Sequence, residues 1–166
     1  MRLSNIAIGT IVALCGQAFS QESRVGKGPQ TIAQANGDSL LTAASKSKQP
    51  LTFESPTGEE DQTWFFIEDS DNQGQSIQNA DSGKYLYCSG GSACTQSRQA
   101  QIFHPYHQKN SDTWGFGEIS SQSVLTWTDE NTLKLVKNPS NMDHSFFTIK
   151  KAVGKVPRSC SGYDMV

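Results

Sequence analysis

The stretch LTWTDEN, residues 125–131, sets the indole of Trp127 two and four residues before Asp129 and Asn131. A ring can bury the C–H face of a hydroxyl-rich ligand, while a carboxylate and an amide bond its hydroxyls. The same residues also fit a plainer part. Trp127 would cap the core, and Asp129, Glu130 and Asn131 would form a solvated hairpin turn, since Asp and Asn favour turns. KYLYCSGG (84–91) places a second pair of rings, Tyr85 and Tyr87, near a chain reversal. FHPYH holds His104 and His107 three apart, a separation that sends strand side chains to opposite faces. No neighbouring Cys or carboxylate completes a ligand set, so no metal site is expected. There is no Gly-x-Ser-x-Gly elbow. The acidic groups Glu59, Glu60, Asp61 and Glu68, Asp69, Asp71 lie in polar loops, where solvated turns are the default. The expectation is a protein with neither catalytic residues nor cofactor.

Composition narrows the class. The formal charge of the 166 residues is −2, without the clustered Lys and Arg that phosphate contacts need, so nucleic acid is not an expected partner. MRLSNIAIGTIVALCGQAFS (1–20) has Arg2, an apolar run from Ile6 to Cys15, and small-residue spacing up to Ser20. That is the layout of a secretory leader, and its ten-residue run is too short to span about 30 Å of bilayer. The expected product is exported, not inserted in a membrane, and about 146 residues long, which suits one domain.

Cys88 and Cys94 lie six apart across CSGGSAC, a tight reversal between strands. Export favours a disulfide there, contributing about 2–2.5 kcal/mol; two free thiols are the alternative. Cys160 is left over, and the chain is expected to be a monomer unless that thiol cross-links it.

A pattern recurs along the chain. TIAQANGDSLLTAA (31–44), SIQNADSGKYLYCS (76–89) and EISSQSVLTWT (118–128) each run from an Ile through a polar turn to a Leu: Ile32 to Leu41, Ile77 to Leu86, Ile119 to Leu125. Each later reaches an aromatic knot, at Trp64, Phe103 and Phe146. The leucines are 45 and 39 residues apart and the aromatics 39 and 43, so two landmarks keep nearly one period. Apolar runs are short, aromatic or β-branched, and separated by turn residues, with no helical stripe. Three such units predict a closed all-β body, which leaves no open strand edges.

The period, SIQNADSGKYLYCS and the triplet Gln62-Thr63-Trp64 resemble the ricin B-type β-trefoil family, with its three repeats of about forty residues, each closed by Gln-x-Trp. Gln101-Ile102-Phe103 keeps the Gln, and His144-Ser145-Phe146 keeps only the aromatic. The resemblance implies a β-trefoil over 30–152, with repeats 30–72, 73–112 and 113–152. A leader (1–20), a flexible segment (21–29) and a tail (153–166) would flank it. Sugar-binding members resemble one another in having an Asp directly after the Leu. Here those positions are Thr42, Tyr87 and Thr126, none acidic. A rearranged site would draw on Trp127, Asp129, Asn131, Tyr87 and Gln101. The expected function is a secreted lectin-like module for a glycan or glycoprotein. A protein-binding effector or protease inhibitor on the same scaffold is the alternative.

Overall fold

The computed structural model describes residues 24–46, 48–71 and 74–153. The expected leader, residues 21–23 and the tail from 154, with Cys160, lie outside the described residues. Among the described residues, twelve strands fall four to a repeat. The first repeat holds β1 (Gln30–Gln34), β2 (Leu40–Thr42), β3 (Thr52–Glu54) and β4 (Trp64–Asp69). The second holds β5 (Gly74–Asn79), β6 (Tyr85–Tyr87), β7 (Thr95–Ser97) and β8 (His104–His107). The third holds β9 (Thr113–Glu118), β10 (Ser123–Trp127), β11 (Leu133–Val136) and β12 (Phe147–Lys151). Short 3-10 turns at Glu60–Gln62 and Met142–Ser145 precede the last strands of repeats one and three.

The first and last strands of each repeat make a six-stranded barrel in the order β1-β4-β5-β8-β9-β12, and β12 returns to β1. Between β5 and β8 the closure is a pair of backbone bonds: Gln75 N–H to the Phe103 carbonyl at 2.8 Å and the reverse at 2.9 Å. The middle strands form three hairpins, β2–β3, β6–β7 and β10–β11, that cap one end. These hairpins are tied in a ring. Leu51 N–H donates to Cys94 O (2.8 Å), Cys94 N–H to Leu133 O (2.6 Å) and Phe53 N–H to Asn131 O (2.8 Å). The architecture is a β-trefoil.

Alternation along each short strand sends one face inward. Leu41, Leu86 and Leu125 are buried around one central void. Ile32 and Ile77 join them, but the third member is Phe116, not Ile119. Phe116 is 2% exposed and lies nine residues before its Leu, as Ile32 and Ile77 do; Ile119 is 45% exposed in the β9–β10 turn. The closing aromatic of repeat three also shifts by one. Ala35 N–H bonds Phe146 O as Ala80 N–H bonds Thr63 O, so Phe147 matches Trp64. The closing triplet is therefore Ser145-Phe146-Phe147. Phe147 stacks in the centre with Phe53, while Phe146 is buried edge-on against Tyr106. A one-residue slip moves a side chain to the other face.

The loose segment expected over 21–29 gives way at Val25, which is buried in the core cluster. Gln75 holds both its backbone groups: Val25 N–H donates to Oε1 (3.0 Å) and Nε2 donates to the Val25 carbonyl (3.1 Å). Cys88 and Cys94 are disulfide-bonded and buried, with Cα atoms 4.2 Å apart.

Truncating Phe116 to Ala should cost about 3–5 kcal/mol and Ile119 to Ala no more than about 0.5 kcal/mol, read from urea midpoints. Similar costs for the two would refute the assignment of Phe116 to the centre.

Candidate functional site

The position after each core Leu is where the family resemblance would put an acceptor carboxylate. In repeats one and three it is a buried threonine whose hydroxyl is already used. Thr42 Oγ1 donates to Leu40 O at 3.0 Å and accepts from Gln62 Nε2 at 3.0 Å. Thr126 Oγ1 lies 3.3 Å from Val124 O and 3.0 Å from Ser145 Oγ. The closing motif thus folds back onto its own repeat, and neither hydroxyl is presented outward.

Repeat two differs. Tyr85 and Tyr87 lie two apart on β6 and so share its outer face; both are half-buried. Across the hairpin they pair with Ser97 and Thr95. Neither phenol hydroxyl makes a hydrogen bond among the described residues. The surface is two rings edged by hydroxyls. Gln101 does not contribute to it, because its amide is spent on Cys88: Cys88 N–H donates to Oε1 (2.7 Å) and Nε2 donates to the Cys88 carbonyl (3.2 Å).

Trp127 points inward. It lies two residues past Leu125 on the same face, opposite Leu133. Ala43 and Cys88 hold the matching corners of the other repeats. The indole is half-buried against the core and stacks on His144, with ring centroids 3.6 Å apart at 21°. Its N–H is buried without a partner among the described residues, so neither Asp129 nor Asn131 bonds to it. Asp129 and Asn131 are exposed in the β10–β11 turn. Asn131 has φ +57° there, and its carbonyl serves the cap ring. The capping role, not an open platform, is what the structure gives Trp127. His107 packs edge-on against Trp114 at 5.0 Å, and no group of three metal-ligating side chains occurs among the described residues.

Sequence reasoning missed the buried amides. Gln62, 1% exposed, accepts at Oε1 from Thr57 N–H (2.8 Å) and Thr57 Oγ1 (3.1 Å), and its Nε2 also donates to Ser55 O (2.9 Å). It braces an exposed loop, Ser55–Glu60, from beneath. Asn79 joins repeats one and two, donating to the Asp61 and Thr63 carbonyls at 2.9 and 3.1 Å and accepting from Ser82. Ser82 passes the chain to Gln96, whose Nε2 donates to Ala44 O at 2.9 Å. The signal for Asn79 and Gln96 was an amide at an inward strand position, where an apolar residue would be usual; Gln62 sits in a 3-10 turn, and its signal was the Gln-x-Trp motif.

Two carboxyls titrate away from the ordinary range. Burial, then repulsion from Asp81, Glu54 and Glu59, raises Asp61, with only the Gln62 N–H opposing. At Glu118 burial also pushes upward, but bonds from the side chains and backbone of Ser120 and Ser121 outweigh it and lower the pKa. The signs oppose. Asp61 weakens the fold above its raised pKa, and the penalty disappears once pH falls below the usual Asp range. Glu118 contributes stability above the usual Glu range, lost as pH falls through its lowered pKa.

No family model matches the sequence, and no curated protein matches it. Solved structures do. A ricin B-like lectin of Macrolepiota procera, in complex with lactose, superposes with TM-score 0.65 at 13% identity, covering 78% of this chain and 99% of that one. A Polyporus squamosus lectin bound to a human-type influenza-binding epitope gives 0.66 at 19%, covering 78% of this chain and 50% of that one. A designed three-fold symmetric protein, ThreeFoil, gives 0.61 at 13%, covering 73% and 96%. The chain has the β-trefoil fold of the ricin B-like lectins.

Asp61→Asn should raise Tm at pH 7, by a change within about 1 kcal/mol, with the gain vanishing near pH 3. Glu118→Gln should lower Tm at pH 7 and converge with the wild type in acid. Thermal melts across pH 3–7 check both signs.

Proposed function

We propose that this protein is a secreted, non-catalytic lectin-like module that recognises a glycan or glycoprotein through its outer hairpin surface. The observation that carries this reading is the Tyr85–Tyr87 face of β6. Two half-exposed rings with free hydroxyls stand beside Thr95 and Ser97, on a hairpin stiffened by a disulfide. A sugar offers that surface C–H groups for the rings and hydroxyls for the rim. Rigid anchoring limits the ordering cost of binding. Similarity of fold to proteins solved with lactose or a sialylated epitope supports the reading. The chemistry differs from the family pattern, because a phenol replaces the carboxylate.

A glycan array with the exported form tests it. Specific binding should appear and fall about tenfold or more in Tyr87→Ala, on the scale of a lost aromatic contact. Asp129→Ala should leave it unchanged. A blank array, or full binding by Tyr87→Ala, rejects the proposal.

The second reading, a protein-binding effector or protease inhibitor, draws on a separate observation: Thr42 and Thr126 are closed off, while the exposed loop over Gln62 is held rigid. Inhibition of a protease together with a blank array would favour it.

A further inference from the structure

One row of side chains crosses four strands around the second hairpin. Phe65 on β4 lies opposite Gln78 on β5, Gln78 opposite Tyr85 on β6, and Tyr85 opposite Ser97 on β7. Their chain neighbours Trp64, Phe66, Ile77, Asn79, Leu86 and Gln96 are buried, so alternation turns the row outward. All four side chains are half-buried and none is charged. Gln78 Nε2 donates to Gly83 O at 2.8 Å, which fixes the amide, while its Oε1 accepts no bond among the described residues.

The matching rows around the other hairpins share the register but not the chemistry. One reads Thr148, Ala33, Leu40, Glu54, and the other His104, Gly117, Val124, Val136. Packing this fold therefore does not demand two rings at these positions. Two rings flanking a fixed amide occur in one row of the three.

We propose that this row is a platform for an extended β-1,4-linked chain of neutral sugars. Phe65 and Tyr85 stand two strands apart, about 10 Å. In a β-1,4 chain each pyranose is turned over relative to the last, so every second unit offers the same face at close to that separation. The rings stack on alternate units, and Gln78 Oε1 accepts from a hydroxyl of the unit between. This inference rests on the glycan reading of the Tyr85–Tyr87 face and adds its ligand class, a run of three units in place of one terminal sugar.

Calorimetry on the full chain tests it, with β-1,4-linked glucose and N-acetylglucosamine oligomers of one to five units. In at least one series affinity should step up about tenfold between two and three units, when the second ring is engaged. Oligomers of α-1,4-linked glucose, which curl, should show no such step. Phe65→Ala and Phe65→Leu should each remove the step, and Phe65→Tyr should keep it. Thr148→Ala, at the matching place in another row, should change nothing. Melting curves check that each variant is folded, and Phe65→Leu keeps apolar bulk without a ring. The proposal is overturned by the lack of a step in both β series, an equal step in the α series, or a step that survives Phe65→Leu. Array binding that Tyr87→Ala abolishes, without any step in length, leaves the lectin reading standing and removes this inference alone. A blank array removes both.

Discussion

Everything in this molecule depends on three leucines meeting on one axis. Leu41, Leu86 and Leu125 come from three separate hairpins, each too small to bury its apolar face alone. Ile32, Ile77 and Phe116 close the layer below, and Trp64, Phe103 and Phe147 fill in from the closing strands. The hairpins are stable only together, which is why their ends are tied by backbone bonds at Leu51, Cys94 and Leu133. Closure also uses the first and last strands of the trefoil, with β1 and β12 paired over five residues and Val25 packed into the core.

The threefold pattern is broken where the copies do different work. The corner two residues past each core Leu holds Ala43, Cys88 and Trp127: a small side chain, half a disulfide, and a large ring that needs His144 to cover it. Trp64 donates its indole N–H to the Leu41 carbonyl at 2.8 Å, a bond that Phe103 and Phe147 cannot make. Repeat one instead carries the braced acidic loop, and repeat two the tyrosine face. Recognition surfaces on a closed scaffold vary by such local substitutions, because the centre does not change with them.

Much of this was legible in residue order. The forty-residue period, the leucines, the Gln62-Thr63-Trp64 motif and the cysteine spacing lead to the trefoil and its disulfide. Two assignments slipped for definite reasons. Ile119 matches Ile32 and Ile77 in type, but only Phe116 keeps the spacing of nine that sets strand register. Phe146 and Phe147 are chemically identical, and only the partner of Ala35 tells which one faces the axis. Of the candidate site, Tyr87 lies on an outer face, whereas Gln101 is committed to Cys88 and Trp127 to the core. Composition could not show this, since ring and amide side chains serve ligand or fold equally well.

The sequence by itself determined the class of fold, because apolar spacing and turn chemistry repeat locally and leave one way to close three small hairpins. Only the tertiary structure decided which polar groups remain available. Gln101 looks like a ligand-binding amide in the chain, yet it is saturated by backbone groups brought to it from elsewhere, as are Gln62, Asn79 and Gln75. Glu59 and Glu60 look like solvated turn residues, and both are exposed in the loop that Gln62 braces. Hydrogen-bond saturation and unpaired charge are properties of neighbours in space, and those neighbours are distant in the chain.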